Sequence, residues 1–157
     1  MSADADAGAP RFAVVPASYV YLLRESPRGT EVLLQRRGEV PYMAGHWAAG
    51  AAGHVERGED AVTAAQRELT EELGITALDL RFELVMQRTQ HTVAIEERVD
   101  FFFSARTWNG EPRIVETAKA SALEWFPLDA LPTPMVPHEA VALSRLDLEP
   151  SYVGYGF

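Results

Sequence analysis

The sequence contains no cysteine among its 157 residues. Disulfide bonds, zinc sites built from thiolates and cysteine nucleophiles are therefore excluded, and a reducing compartment is favoured. The chain also has no long uninterrupted apolar run. Its most apolar early stretch, residues 12–23, is broken by Pro16, Ser18 and two tyrosines, so it predicts neither a signal peptide nor a membrane span. We expect a cytoplasmic protein without membrane contact.

Basic side chains are also scarce: 14 lysines and arginines stand against 23 aspartates and glutamates, for a formal net charge of −9. A surface of this charge repels the phosphates of DNA and RNA, so a nucleic-acid polymer is not expected as a partner. An acidic protein can still bind a small polyphosphate when divalent cations lie between the two sets of negative charge, and such cations need clustered carboxylates. Clustered carboxylates would therefore indicate a phosphate-bearing small molecule as substrate.

The length of the chain corresponds to one compact domain. Residues 1–11, rich in alanine, aspartate and glycine, predict a disordered lead-in. Residues 12–147 are expected to form the domain, and residues 148–157 an aromatic tail. The tail would dock either on the domain itself or on the second subunit of a homodimer, and the sequence leaves both arrangements open.

The apolar pattern predicts a mixed order of strands and helices. Apolar runs at residues 18–23 and 31–34 flank the turn-forming residues 26–29 and predict a β-hairpin. The remaining predicted elements are a loop of small residues at 38–53, strands at 80–90, 93–104 and 123–126, a turn at Asn109-Gly110 and a second helix at 136–146. Strands on both sides of a central helix predict an α/β fold in which a mixed sheet packs between helices.

The central helix is predicted between Asp60 and Leu73. From Val62 onward an apolar residue recurs every three or four positions, which places these residues on one stripe of a helix. Gly74 follows where a left-handed C-terminal cap would lie.

Three glutamates share one side of this predicted helix. Glu68, Glu71 and Glu72 lie at positions i, i+3 and i+4, where like charges destabilise an isolated helix by roughly 0.2–0.5 kcal/mol per pair. A hard divalent cation would offset this cost, and Mg²⁺, with Mn²⁺ as a substitute, takes oxygen ligands and keeps positions free for phosphate oxygens. On the glutamates alone, a solvated acidic helix face explains the pattern equally well.

Three residues near the glutamates could support a metal or phosphate site. Arg67 lies one turn from Glu71 and could hold a carboxylate in place. Gly53 lacks a side chain where the backbone would approach a metal or phosphate. Glu59 lies at the start of the helix, where the helix dipole stabilises a negative charge, and it could pair with Arg67.

These residues resemble the complete box of the Nudix hydrolase family. The pattern is Gly, five residues, Glu, seven residues, Arg-Glu-apolar, one residue, Glu-Glu, one residue, Gly-apolar. It is filled by Gly53, Glu59, Arg67, Glu68, Leu69, Glu71, Glu72, Gly74 and Ile75. The resemblance implies an α/β/α sandwich over about residues 12–147, with a mixed β-sheet and the box as a loop-helix-loop.

The resemblance also implies an activity and a role for each residue of the box. Water would attack phosphorus in a phosphoanhydride, with metal ions held by Glu68, Glu71, Glu72 and the Gly53 carbonyl. Arg67 and Glu59 would be supporting residues. Relatives differ in which carboxylate accepts the proton of the water, and we favour Glu68.

Two regions outside the box resemble MutT-like members of the family. Residues 33–37 resemble a strand that ends in arginines, and Arg37 could reach a substrate phosphate or simply end a solvated strand. Residues 109–132 resemble a region of the nucleoside triphosphate members, in which an acidic residue near Glu116 approaches the metals from a loop. Glu116 is therefore a candidate extra metal ligand.

The range of candidate substrates is narrowed mainly by excluding other branches of the family. Nudix isopentenyl-diphosphate isomerases share a Gly-His-Val segment with this chain but need a catalytic cysteine. Signatures after the box that mark NADH and ADP-ribose members are not visible, since Gln90 and His91 occupy that neighbourhood, and the coenzyme A signature before the box is also missing. A nucleoside triphosphate, standard or modified, cleaved to monophosphate and pyrophosphate, fits best. Ala51-Ala52, where many triphosphate members have Pro-Gly, weakens an assignment to oxidised guanine nucleotides.

Aromatic residues supply candidate stacking surfaces for a base. They are Tyr42, Trp47, Phe101, Phe103 and Trp108, each of which is more often a core residue. Of these, Tyr42 and Trp47 lie in the predicted loop before the box and are our candidates for substrate binding. The four histidines, His46, His54, His91 and His138, lack the spacing of a helical zinc motif and are interpreted as loop or surface residues.

Two alternative functions remain at this stage. The first is hydrolysis of ADP-ribose or a nucleotide sugar by the same chemistry. The second is a non-catalytic Nudix domain that senses a nucleotide, although such domains usually lose the box glutamates and this chain has all of them.

Overall fold

A computed structural model of the protein describes Gly8 and residues 10–157. The predicted lead-in at residues 1–11 lies largely outside the described residues. The strands are β1 (Val15–Ser26), β2 (Gly29–Arg37), β3 (Trp47–Ala49), β4 (Ala51–His54), β5 (Thr76–Ala77), β6 (Arg81–Arg88), β7 (Arg98–Ala105), β8 (Trp108–Asn109), β9 (Ala120–Pro127) and β10 (Ser151–Tyr155), and the helices are α1 (Ala61–Leu73) and α2 (Pro137–Leu143).

The long strand β1 organises a mixed sheet of eight strands. Its first half pairs in parallel with β7 and antiparallel with β4, and its second half pairs antiparallel with β2. The β1–β2 hairpin, with Leu23 opposite Val32 and Ser26 opposite Gly29, confirms the predicted turn. One edge of β1 pairs first with β4 and then with β2, so the sheet opens between β4 and β2. The candidate site lies at this opening.

The two helices cover opposite faces of the sheet. Tyr19 and Tyr21 of β1 pack in the core under α2, whereas Val20 and Leu22 pack in the core under α1. This alternation is the expected consequence of side chains pointing to opposite faces along a strand. The predicted α/β architecture, with a mixed sheet between helices, is confirmed.

Both predicted ends of α1 are confirmed. Asp60 is the N-cap, and its side chain accepts a hydrogen bond from the Thr63 N–H at 2.8 Å. Gly74 ends the helix in the left-handed region at φ 69°, and its N–H donates to the carbonyls of Leu69 and Thr70. The cap residues therefore fix where the helix that carries the glutamates begins and ends.

Three sequence predictions need correction. The predicted loop at residues 38–53 contains β3 and β4, because small alanines that give no strand pattern of their own pair with β2 and β1. The strand predicted at 93–104 begins only at Arg98, since Ala94–Glu96 forms a 3₁₀ turn. The second helix is shorter than predicted and ends at Leu143.

The aromatic C-terminal segment forms β10. Its residues pair in parallel with β6, from Ser151 opposite Leu84 to Tyr155 opposite Arg88. The segment therefore docks on the sheet of its own domain, one of the two arrangements left open by the sequence. Among the described residues, no helix is long and apolar enough to cross a membrane.

The N-cap of α1 gives a test of the fold. Asp60→Ala removes the acceptor of the Thr63 N–H, and we expect a loss of about 1 kcal/mol in the free energy of unfolding, measured by urea denaturation. Asp60→Asn keeps an acceptor at the same place and is the matched control. Equal losses in both variants would contradict a capping role.

Candidate active site

The glutamates of α1 differ in burial although they lie on one side of the helix. Glu68 is buried, Glu72 is half-buried and Glu71 is exposed. The Ala52 N–H of β4 donates to Glu72 Oε2 at 2.8 Å. The carboxylates therefore lie between the helix and strand β4, with Glu71 nearest to solvent.

Arg67 connects the acidic side chains. Its Nη2 donates to Glu59 Oε1 at 2.6 Å and to the His54 carbonyl at 2.9 Å. Its Nη1 donates to Glu68 Oε1 at 2.7 Å and to Glu71 Oε2 at 3.3 Å. The structure thus brings together the arginine and glutamates of the predicted cluster, and ties them to the end of β4.

Gly53 makes room for a carboxylate. A Cβ atom built at Gly53 would lie 2.1 Å from Glu68 Oε1, well inside any permitted contact. Glycine at this position therefore lets the Glu68 carboxylate lie directly against the main chain of β4.

Glu116 approaches the same cluster from the loop that precedes β9. Burial raises the pKa of Glu68 and that of Glu72, the latter to about 8, and the negative charge of Glu116 raises both further. Lys119 Nζ pairs with Glu116 at 2.5 Å and is the nearby lysine that partly balances this charge. The loop thus adds a fourth carboxylate to the three of the helix.

The chemistry of this donor set fits a hard divalent cation. Carboxylate oxygens and a main-chain carbonyl are the ligands that Mg²⁺ and Mn²⁺ take in proteins, and a bound cation would counter the burial and the carboxylate repulsion that raise the pKa of Glu68 and Glu72. Within the described part of the chain, no three such groups already converge on one point. Glu68 is directed to Arg67 and Glu116 to Lys119, so a cation would compete with these ion pairs.

A cavity of about 280 Å³ extends from the carboxylate cluster to α2 on the opposite face of the sheet. Its lining residues include Tyr19, Gln35, Arg37, Tyr42, Gly53, His54, Glu72, Arg88, Glu96, Arg98, His138 and Glu139. Glu72 belongs both to the carboxylate cluster and to the cavity wall. A substrate whose phosphates lie at the carboxylates would therefore place its next group in this cavity.

The predicted substrate-binding residues have different locations. Arg37 and Tyr42 line the cavity, and Arg37 Nε donates to the Tyr42 carbonyl at 2.8 Å. Trp47 is not a lining residue. Its ring packs edge-on against Phe126 with centroids 4.8 Å apart, because β3 directs it into the core under α2.

The other aromatic candidates are also core residues. Phe101, Phe103 and Trp108 pack in the core under α1, and Trp108 stacks on Trp125 with ring centroids 6.1 Å apart. They lie on the face of the sheet that does not form the cavity.

Glu139 of α2 is a cavity residue that the sequence did not indicate. Its Oε1 accepts hydrogen bonds from the Tyr21 hydroxyl at 2.8 Å and the Ala49 N–H at 2.7 Å. Burial raises the pKa of Glu139 to about 7, against the opposing effect of these bonds and of Arg37. Neighbouring His138, which was interpreted as a loop or surface residue, is buried and lines the same cavity, because α2 packs this face onto the sheet.

A buried ion pair forms the far wall of the cavity. Arg88 Nε donates to Asp100 Oδ2 at 2.5 Å, and Arg88 Nη2 donates to the Tyr19 hydroxyl at 3.4 Å. Arg98 lies beside them, with its Nε 3.8 Å from Asp100 Oδ1. These residues come from β1, β6 and β7 and show no local motif, so the sheet register brings them together.

Comparison with known proteins places this site in a family context. A family model described as NUDIX domain matches residues 15–146 of the chain. A crystal structure of a MutT NUDIX hydrolase from Burkholderia pseudomallei superposes with a TM-score of 0.72 at 31% identity, covering 85% of this chain and 98% of that chain.

Two curated relatives match this chain over a smaller share of their own length. Isopentenyl-diphosphate Delta-isomerase of Rhodobacter capsulatus is 36% identical over 107 residues, which cover 66% of this chain and 61% of that enzyme. The 8-oxo-dGDP phosphatase NUDT18 of Homo sapiens is 34% identical over 101 residues, covering 60% of this chain and 28% of that protein. The chain therefore spans less than two thirds of either relative.

Glu139 predicts a pH dependence of stability. In the unfolded chain this carboxyl ionises near pH 4.5, whereas in the folded protein its pKa is raised to about 7. The free energy of unfolding should therefore fall as the pH rises from 4.5 through 7, because the unfolded chain ionises more easily. Glu139→Gln cannot ionise, and we expect its loss of unfolding free energy between pH 4 and 8 to be smaller by roughly 3 kcal/mol. Urea denaturation at several pH values measures this difference.

The control for this experiment is Glu149→Gln, which alters an exposed carboxylate away from the cavity. It should follow the wild-type pH profile. A Glu139→Gln profile parallel to that of the wild type would show that Glu139 titrates normally.

Proposed function

The chain belongs to the NUDIX hydrolase family, and on that premise we propose that it hydrolyses a phosphoanhydride bond of a nucleotide with the help of Mg²⁺. The observation that carries the proposal is the gathering of Glu68, Glu71, Glu72 and Glu116 at one end of a cavity large enough for part of a small molecule. Members of this family generally use a divalent metal, and the donor set of this chain suits one.

We assign the metal to the carboxylates of Glu68, Glu71 and Glu72 and to the Gly53 carbonyl, with Glu116 as an additional ligand. A bound divalent cation would polarise the phosphoryl oxygens and make the attacking water more acidic. Mn²⁺ has the same ligand preferences and should substitute for Mg²⁺.

The side chains around the metal ligands have separate tasks in this proposal. Arg67 positions Glu68 and Glu71 through hydrogen bonds from one guanidinium group, and Glu59 holds the other side of that group. Glu68 is our candidate for accepting the proton of the attacking water. Its carboxylate lies against Gly53, at the place where the cluster meets the cavity.

The favoured substrate is a nucleoside triphosphate, standard or modified, cleaved to monophosphate and pyrophosphate. Similarity to a MutT hydrolase supports this choice, and similarity to an 8-oxo-dGDP phosphatase adds nucleoside diphosphates to the candidates. Isomerase activity is not proposed, because the chain has no cysteine at any position. ADP-ribose and nucleotide sugars remain the alternative substrates of the same chemistry.

Substitution of one metal ligand tests the catalytic proposal. With Mg²⁺ the wild-type protein should release phosphate or pyrophosphate from at least one member of a panel of nucleoside di- and triphosphates, nucleotide sugars and ADP-ribose. Glu72→Gln removes a negative ligand but preserves shape, and we expect kcat to fall at least about 100-fold. Phosphate release assays with and without EDTA measure the effect.

The matched control is Glu149→Gln, which should retain the wild-type rate. A metal-sensing or nucleotide-sensing domain would bind members of the panel without turnover. Wild-type rates in Glu72→Gln, or an intact panel after prolonged incubation with Mg²⁺ and Mn²⁺, would contradict the proposed activity.

A further inference from the structure

Three arginines from three strands meet at one cavity. Arg37 ends β2, Arg88 ends β6 and Arg98 begins β7, and all three line the space that leads away from the carboxylate cluster. The chain as a whole has a net charge of −9, and Glu72, Glu96 and Glu139 line the same cavity, so the three guanidinium groups gather here among carboxylates.

Each of these guanidinium groups has donors left over. Arg37 uses Nε for the Tyr42 carbonyl, and neither of its terminal nitrogens has a hydrogen-bond or ion-pair partner among the described residues. Arg98 Nε is buried without a hydrogen-bond partner there, and its ion-pair partner Asp100 Oδ1 lies 3.8 Å away. An arginine presents five N–H donors, so the terminal nitrogens of Arg37 leave donors available to a ligand in the cavity.

The acidic groups around the same cavity make contacts with groups other than Arg37. Asp100 is fully buried: its Oδ2 accepts from Arg88, whereas its Oδ1 has no hydrogen-bond partner among the described residues and lies 3.8 Å from Arg98 Nε. Glu139 accepts from Tyr21 and from the Ala49 N–H, and Glu96 at the rim accepts from Gln90 at 3.1 Å. None of these carboxylates forms an ion pair within 4.0 Å of Arg37.

The pKa of His138 responds to the burial and the positive charges around it. Burial lowers the pKa of this histidine to about 2, and the positive charges of Arg88, Arg98 and Arg37 lower it further. The same side chain lines the cavity. The imidazole is therefore neutral and adds no positive charge to that of the three guanidinium groups.

The shape of the cavity also limits its ligand. Its volume of about 280 Å³ is at the low end of ligand pockets, which span about 300–1,000 Å³. Tyr42 is the half-buried aromatic side chain on its wall, since Trp47 packs into the core. Hydrogen bonding and charge, rather than extended stacking, therefore dominate the contacts that this cavity offers.

We propose that the arginine cluster, Arg37, Arg88 and Arg98, binds a second negatively charged group of the substrate, a carboxylate or a phosphate, beyond the diphosphate that the glutamate cluster holds. This inference rests on the proposed function, because that function places the diphosphate at the glutamates. Planar guanidinium groups pair with carboxylate and phosphate oxygens through two parallel hydrogen bonds. The cluster thus selects substrates by the charge of the group attached to the diphosphate.

Two matched pairs of nucleotides test the charge preference. Uridine diphosphate glucuronate differs from uridine diphosphate glucose by one carboxylate, and adenosine 3′-phosphate 5′-diphosphate differs from adenosine 5′-diphosphate by one phosphate. We expect kcat/KM to be at least about tenfold higher for the charged member of one pair. The pair that shows the preference identifies the source of the charge.

Arginine variants assign the preference to the cluster. Arg37→Gln and Arg98→Gln should each reduce the ratio of kcat/KM between the charged and the neutral member at least about tenfold, chiefly through the KM of the charged member. Arg88 is left intact because it neutralises buried Asp100. Arg36→Gln is the matched control: Arg36 adjoins Arg37 but is exposed and lies outside the cavity.

Calorimetric binding of the same pairs in EDTA separates this inference from the proposed function. Tighter binding of a charged member, lost in Arg98→Gln and kept in Arg36→Gln, supports the arginine site even if no nucleotide is hydrolysed. Hydrolysis or binding without any charge preference, or a preference unchanged in Arg37→Gln and Arg98→Gln, overturns the inference and leaves the proposed hydrolase activity standing. Absence of any hydrolysis would count against the proposed function alone.

Discussion

Arg67 forms hydrogen bonds to three carboxylates and one main-chain carbonyl, and the site depends on this guanidinium group. Burial raises the pKa of Glu68 and Glu72, and repulsion by the neighbouring carboxylates raises both further. Arg67 offsets part of the repulsion and fixes the direction of two carboxylates, and a divalent cation would offset the rest.

The fold divides the site between two faces of one sheet. Helix α1 contributes the carboxylates from one face, and α2 with β6 and β7 encloses the cavity on the other. The opening between β4 and β2 connects the two sides, and Glu72 lies at this connection, bonded to the Ala52 N–H and exposed to the cavity. Under the proposed function, different elements would therefore supply the reaction chemistry and the selection of the group attached to the diphosphate.

Local patterns account for the part of the site that the sequence predicted. Helical spacing aligned Glu68, Glu71 and Glu72, and the two ends of α1 followed from Asp60 and Gly74. Each of these features depends on residues within one or two turns of each other. The hairpin of β1 and β2 was predicted for the same reason, since its turn residues are contiguous.

The cavity could not be predicted in this way because its contacts are distant in sequence. Tyr21 and Glu139 are 118 positions apart, and Tyr19 and Arg88 are 69 apart. Strand register and the docking of α2 bring them together, and neither leaves a motif. Trp47 shows the converse error: an aromatic residue in a presumed loop belongs to a short strand and serves the core.

Direct binding of Mn²⁺ tests the central claim that the glutamate cluster is a cation site. Metal-free protein would be titrated with Mn²⁺ while the electron paramagnetic resonance signal of the free ion is followed. The account predicts that the wild-type protein removes free Mn²⁺ from solution in a saturable way and that Glu68→Gln binds it at least about tenfold more weakly. Equal binding by both proteins, or no saturable binding by the wild type at millimolar Mn²⁺, would contradict it.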